Sequence, residues 1–257
     1  MYLYKKEKKI SDLFLKNGYF IGQTEDINSK NQITRLIKRK LHKIIKKNVS
    51  FDLLHTKVDK NNINDLRLFI YNEMNKDKKF RNNYFKIARK ALYSLAGNEL
   101  MMQTKINLSI QLPNDETSLL PIHSDVWQGD SPFEINLWIP LVDCNKTKSM
   151  FILPQRHYNY FLRALKKDKP KTSDDIFKIV RKKLKWLSIK KNQFLIFNQC
   201  LPHGNVVNLE KNTRWSMNCR FKTIFSPYGD KKIGEFFVPI TERPMTKIAL
   251  EYKDPFK

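Results

Sequence analysis

Residues 214–221 read Arg-Trp-Ser-Met-Asn-Cys-Arg-Phe, a strict two-residue alternation. Trp215, Met217, Cys219 and Phe221 fall on one face of an extended chain, and Arg214, Ser216, Asn218 and Arg220 on the other. Working outward, two further stretches repeat the pattern. Residues 105–112 (KINLSIQL) set Ile106, Leu108, Ile110 and Leu112 against Lys105, Asn107, Ser109 and Gln111. Residues 133–139 (FEINLWI) set Phe133, Ile135, Leu137 and Ile139 against Glu134, Asn136 and Trp138. Shorter apolar strands are expected at 150–153 (MFIL) and 193–197 (QFLIF). Strands with one apolar and one polar face suit either a sheet with one face in water or a barrel whose polar faces turn inward around a cavity.

The first third of the chain has a different period. Residues 30–47 place Ile33, Leu36, Ile37, Leu41, Ile44 and Ile45 at helical spacing, with Lys and Arg opposite. Such a helix packs on a domain with a solvated basic face, or lies on a membrane surface. Helical patterns continue over 64–75 and 80–97, where Tyr84, Ile87, Ala88, Ala91, Leu92 and Leu95 form the stripe and Gly97-Asn98 a stop. Helices followed by β-rich chain favour the cavity-enclosing arrangement, with helices covering the apolar outer faces. The expectation is mainly β with α in one domain over 1–257: a mostly helical part over 1–99, a β core over 100–225, and a C-terminal extension over 226–257.

The chain has 257 residues, 41% of them hydrophobic and 12% aromatic, with 7 Gly, 11 Pro and 3 Cys. This excludes collagen-like, low-complexity and disulfide-scaffold classes. Cys144, Cys200 and Cys219 form no CxxC pair, which suits a reducing compartment. The start, Met-Tyr-Leu-Tyr before Lys5, Lys6, Lys8 and Lys9, lacks an apolar signal region, and no run approaches membrane-span length, so a cytoplasmic location is expected. The formal charge of +24 invites a nucleic-acid reading. However, 38 Lys, 24 Ile and 23 Asn make up about a third of the chain, as AT-rich coding would produce, and only 11 residues are Arg, the side chain best shaped to grip phosphates and bases. Nucleic acid is therefore not the expected partner; a small molecule is, and the charge would favour an anionic one.

Of five histidines, His42 and His55 read as surface residues and His157 as part of a turn. His123-Ser124-Asp125 follows an extended segment, where residues two apart point the same way, so one imidazole and one carboxylate can converge. His203 follows the apolar strand 193–197. Two His and one Asp form the facial triad that holds non-haem Fe(II) with three positions open. Arg214 comes eleven residues later on a polar strand face, where a guanidinium needs an anion. A dicarboxylate that chelates iron at one end needs such a cation at the other, and Ser216 on the same face adds a hydroxyl.

HSD at 123–125, NLWIPL at 136–141, LPQRH at 153–157 and HGNVVN at 203–208 with Arg214 beyond are together similar to the phytanoyl-CoA hydroxylase-like branch of the Fe(II)/2-oxoglutarate dioxygenases. Within it they resemble StrG-like oxygenases of streptomycin or surface-carbohydrate gene clusters. The resemblance covers roughly residues 100–225. It implies a double-stranded β-helix (jelly-roll, cupin-like) barrel with the N-terminal helices packed outside. It further implies that His123, Asp125 and His203 are iron ligands and catalytic residues, and that Arg214 takes the distal carboxylate of 2-oxoglutarate. Trp138 falls where the family has a cosubstrate-lining Trp, and Asn136 and Gln111 join the cosubstrate set by strand face. The implied reaction consumes O2 and 2-oxoglutarate, releases succinate and CO2, and hydroxylates a carbohydrate-related or other small substrate; desaturation and ring closure are alternatives. Asp125 favours oxygenation, because halogenating relatives carry Ala or Gly there. Leu-Pro-Gln-Arg-His departs from the common Pro-Gly-Ser-His, which leaves the substrate-binding residues unassigned. Two other readings compete. One is an AlkB-like nucleic-acid demethylase, suggested by the charge and the R-x5-R spacing of Arg214 and Arg220; the other is a non-catalytic basic binding barrel.

Overall fold

A computed structural model of the chain describes residues 4–256; Met1, Tyr2, Leu3 and Lys257 lie outside the described residues, and with them the first part of the N-terminal reading. Helix α1 (Lys5–Asn17) stops at Gly18, whose φ of 76° suits glycine, and whose added Cβ would meet Leu201 Cδ1 at 2.2 Å. Strand β1 (Tyr19–Gln23) follows at once. It is too short and too mixed to stand out between two helices in the sequence.

Helix α2 (Ile27–Ile45) starts where the Asp26 carboxylate accepts the Ser29 N–H at 2.9 Å. Ile33, Leu36, Ile37 and Leu41 are buried, whereas Ile44 at the frayed end is 45% exposed. The apolar face of α2 packs on α3 (Ile63–Asn75) and α4 (Phe80–Lys86), so this face is covered by protein and not offered to a membrane. The helix expected over 80–97 breaks at Ala88 (φ −138°) into α4 and α5 (Arg89–Ala96). The Glu25 carboxylate accepts the Lys90 and Ala91 N–H groups at 2.7 and 3.0 Å, capping α5 from a distant part of the chain. The stripe continues through the break, so spacing alone did not reveal it.

Strands β2 (Leu100–Gln103), β3 (Asn107–Gln111), β4 (Ile135–Pro140), β7 (Gln193–Asn198), β9 (Arg214–Thr223) and β10 (Phe237–Thr241) join β1 in a seven-stranded sheet. Its order is β1-β7-β4-β9-β2-β10, with β3 also paired to β9, and its registered pairs are antiparallel. Between them come β5 (Phe151–Ile152), α6 (Tyr158–Asp168), α7 (Ser173–Val180), β6 (Lys185–Trp186) and β8 (His203–Gly204). The strands β6-β5-β8 form a second, small sheet, and α8 (Pro244–Glu251) follows β10.

The architecture is mainly antiparallel β with α and jelly-roll-like, but the expected barrel is not closed. Among the described residues β1 and β10 end the large sheet, and the strands of the small one are two residues long, too short to seal it. Phe133, expected inside a strand, is 57% exposed, because a turn with Glu134 N–H bonded to Ser131 O at 3.1 Å delays β4 until Ile135. Residues 237–241, read as extension, form a paired strand of the large sheet.

Trp215, Met217, Cys219 and Phe221 are at most 1% exposed and share one apolar cluster with the buried stripes of α2, α3, α4 and α5. Tyr84 of α4 reaches from this layer into the sheet and donates to Leu137 O at 2.7 Å. Burial pushes its phenol well above the usual range, so the group stays a donor. Tyr84→Phe is expected to cost about 1 kcal/mol, seen as a lower urea midpoint at unchanged slope.

Candidate metal and cosubstrate site

The polar face of β9 turns away from the helices and into a cavity of about 610 Å3, lined by Arg214, Ser216, Asn218 and Arg220 among others. The same cavity holds His123, Asp125 and His203. A reciprocal backbone pair joins the two histidines across eighty residues of sequence. His123 N–H donates to His203 O at 2.9 Å, and His203 N–H to His123 O at 2.8 Å. Asp125 is not in extended chain as expected but opens a short 3-10 turn. Ser124 secures that turn by donating its hydroxyl to Gln199 O at 3.0 Å and Cys200 O at 2.9 Å.

Each imidazole also has a fixed orientation. His123 Nδ1 lies 2.8 Å from Pro121 O, and His203 Nδ1 lies 2.8 Å from Leu201 O. A carbonyl only accepts, so each Nδ1 carries a proton, and in the neutral imidazole Nε2 keeps its lone pair. Both Nε2 atoms face Asp125 Oδ1, at 3.4 and 3.8 Å. Donor atoms of the three residues lie within 4.8 Å of one another, the spacing of a group that could hold a metal ion. Backbone-anchored Nδ1–H with Nε2 turned inward is how metal-ligating histidines are commonly held.

Electrostatics agree with this arrangement. Burial alone would raise the Asp125 carboxyl, but His123, His203 and Arg220 hold it well below the usual carboxylate range. Burial brings His203 down to about 4, so its imidazole is neutral near pH 7. Burial works in the same direction on His123, but the Asp125 carboxylate outweighs it and raises this imidazole. Asp125 Oδ2 is buried without a hydrogen-bond partner.

Arg214 is 3% exposed, and its Nη2 donates to Ser109 Oγ at 2.7 Å. Its buried Nε has no partner, and no carboxylate pairs with it among the described residues. Burial brings its guanidinium down to about 10, so it remains charged at neutral pH. Ser216 Oγ is likewise buried and unpartnered, and Trp138 lines the same cavity.

Two expected residues do not line the cavity. Gln111 is fully buried and spends its Nε2 on Val206 O at 2.8 Å, and Asn136 is buried between strands. Strand pairing nevertheless sets Gln111 opposite Arg214 and Asn136 opposite Arg220, and each keeps a buried side-chain oxygen without a partner. Conversely, Tyr71 of α3 and Ser173 of α7 line the cavity from helices in which the sequence shows no motif. Arg220 was also underread: its Nη2 lies 3.3 Å from Asp125 Oδ1 and 3.4 Å from Asp130 Oδ2. Its place on the same face as Arg214 was the available signal.

Gly204 makes this geometry sensitive to one methyl group. A Cβ there would meet Leu120 O at 2.6 Å and Pro121 C at 3.1 Å, both backbone. Pro121 supplies the carbonyl that orients His123. Gly204→Ala is therefore expected to weaken Ni(II) binding about tenfold or more, the usual penalty for disturbing the support of a ligand, as checked by calorimetric titration.

No protein-family model and no curated protein sequence matches the chain. Solved structures do. The non-haem monooxygenase ThoJ in complex with nickel shares 13% identity over 91% of this chain and 84% of its own, at a TM-score of 0.57. The non-haem 2-oxoglutarate-dependent carbocyclase SnoK from nogalamycin biosynthesis shares 14% over 93% and 97%, at 0.56. Its fold is that of these non-haem enzymes. HygX from Streptomyces hygroscopicus, solved with nickel and 2-oxoglutarate bound, shares 12% over 90% and 91%, at 0.53. The neighbours thus include structures holding iron or nickel together with 2-oxoglutarate, and this chain has a His-Asp-His group that could hold such an ion.

Proposed function

We propose that the chain is an Fe(II)- and 2-oxoglutarate-dependent oxygenase of the phytanoyl-CoA hydroxylase-like kind, acting on a small molecule in a biosynthetic pathway. The observation that carries this reading is the pairing, in one cavity, of an inward-facing His-Asp-His group with a buried guanidinium that no protein carboxylate neutralises. The residues fit the metal: both Nε2 lone pairs converge on Asp125, and a buried carboxylate oxygen lacks a partner. Bound iron supplies oxidation of a substrate C–H bond by O2, coupled to conversion of 2-oxoglutarate to succinate and CO2.

The protein's own part is positioning and charge. His123, Asp125 and His203 would hold the ion. Arg214 receives the distal carboxylate of 2-oxoglutarate, with Ser216 as a hydroxyl donor and Trp138 as a wall. Gln111 and Asn136 stay with the cosubstrate set as strand neighbours of Arg214 and Arg220.

The rest of the lining supports a neutral, hydrogen-bonding substrate. Asn107, Asn218, Gln128 and Ser173 present amides and a hydroxyl, and among the described residues no lysine lines the cavity. A carbohydrate-related substrate, as in the StrG-like branch, suits that surface better than an anionic one. Hydroxylation is the expected outcome, with ring closure and desaturation open to the same site. Three free thiols suit a reducing, cytoplasmic setting, and no helix among the described residues is long and apolar enough to cross a membrane.

The test is succinate release by the Fe(II)-loaded protein. The proposal expects turnover, even if slow and uncoupled without substrate, that requires both iron and 2-oxoglutarate. No release under any loading would favour a binding barrel, and stimulation by methylated single-stranded DNA would favour the demethylase.

A further inference from the structure

A second concave site lies on the helical layer, and it shares no residue with the catalytic cavity. Its volume is about 560 Å3, and it lies where α2 meets the turn leading into α4. Arg35, Lys38 and Arg39 of α2 form one wall and Lys79 the other. Arg35 and Arg39 are one helical turn apart, which puts their guanidinium groups on the same face. All four side chains are exposed, and none forms an ion pair among the described residues. The one carboxylate in the lining, Asp77, accepts the Lys79 backbone N–H at 2.9 Å. Gln32 and Asn83 close the groove, joined by an Asn83 Nδ2 to Gln32 Oε1 hydrogen bond at 3.0 Å that leaves the Gln32 amide hydrogens free for a ligand.

AT-rich coding explains scattered lysines, but it does not explain paired arginines. Only 11 Arg occur in 257 residues, and two of them stand one turn apart in this groove. Nearby acid is committed elsewhere: Glu73 pairs with Lys40 and Lys76, both at 2.8 Å. A lipid surface is a poor fit, because Ile33, Leu36 and Phe80 in the lining are at most 5% exposed and offer no apolar anchor. A concave site of this size, with two forked donors on one wall and an ammonium on the other, suits adjacent phosphoryl groups on a small molecule.

We infer that this groove binds a small ligand bearing a diphosphate, at a site separate from the metal and 2-oxoglutarate. The inference does not depend on the proposed oxygenase activity.

Inorganic pyrophosphate is the probe, titrated calorimetrically into the full chain freed of metal, so that no chelated ion captures it. The expected result is saturable one-to-one binding. Arg35→Glu/Arg39→Glu should weaken it by roughly tenfold or more, since two charge-assisted contacts become repulsive. Lys166→Glu/Lys167→Glu, which changes the net charge equally on exposed α6, should leave it unchanged. Arg214→Ala should also leave it unchanged, which separates the groove from the catalytic cavity. Circular dichroism checks that each variant is folded. No binding at millimolar pyrophosphate, equal loss in the α6 variant, or loss in Arg214→Ala would each overturn the inference. Tighter binding of a single-stranded oligonucleotide that Lys43→Glu/Lys47→Glu abolishes would also overturn it, by showing an extended polymer surface instead of a groove.

Discussion

Arg214→Ala is expected to raise the 2-oxoglutarate concentration for half-maximal succinate release by roughly 10²-fold or more, the loss of a charge-assisted bidentate pair in a buried setting. The structure strengthens the physical basis for this. A guanidinium 3% exposed, with an unpartnered Nε and Ser109 Oγ as its side-chain acceptor among the described residues, is costly to keep charged, and burial lowers its titration accordingly. An incoming carboxylate would recover much of that cost, so on the proposed reading a large share of cosubstrate affinity would rest on this one residue. Arg214→Lys restores charge without the planar fork and should recover only part. Because Arg has no lone pair to offer a metal, Ni(II) affinity should be unchanged. Arg220→Ala is expected to act differently: its guanidinium contacts Asp125, so its loss should show first in metal affinity. A larger effect on 2-oxoglutarate at Arg220 than at Arg214 would reverse the two assignments.

This contrast shows what the sequence could disclose. Alternation reports which face of a strand a side chain takes, and it put Arg214, Ser216, Asn218 and Arg220 on the cavity side and Trp215, Met217, Cys219 and Phe221 in the core. It does not report what a side chain on that face is bonded to, so Gln111 shares the pattern of Ser109 yet spends its Nε2 on Val206 O. The convergence of His123 and His203 was legible only through residue type and order. Their contact comes from a reciprocal backbone bridge between segments eighty residues apart, which leaves no local trace. Elements stabilised by remote partners were hidden for the same reason. Strand β1 exists through β7, and α5 begins where it does because Glu25 caps it. Barrel closure was overestimated because three good strands do not reveal that β5, β6 and β8 are only two residues long.

Asp125→Ala should nearly abolish metal binding, with Ni(II) affinity falling on the order of 10²-fold or more, beyond the usual effect of disturbing a supporting residue. The two imidazoles are held by backbone carbonyls and by each other's main chain, so both remain in place when the carboxylate goes. The variant therefore separates ligand loss from unfolding. Two neutral imidazoles bind a divalent ion far more weakly than the same pair with an anion between them. Arg220, left beside the ion without Asp125 to neutralise it, adds repulsion, although Asp130 still faces its Nη2 at 3.4 Å. Thermal unfolding gives a readout independent of turnover. A ligand at 100 times its dissociation constant stabilises by about 2.7 kcal/mol, and that increment should be present in the parent chain and nearly absent in the variant. The metal-free variant should unfold at a lower temperature than the metal-free parent, because His123 and Arg220 lose the buried carboxylate they face, so the nickel-induced rise is compared within each chain. If Asp125→Ala keeps the full nickel-induced rise in Tm, the ion binds elsewhere, and the His123, Asp125 and His203 assignment fails along with the oxygenase reading built on it.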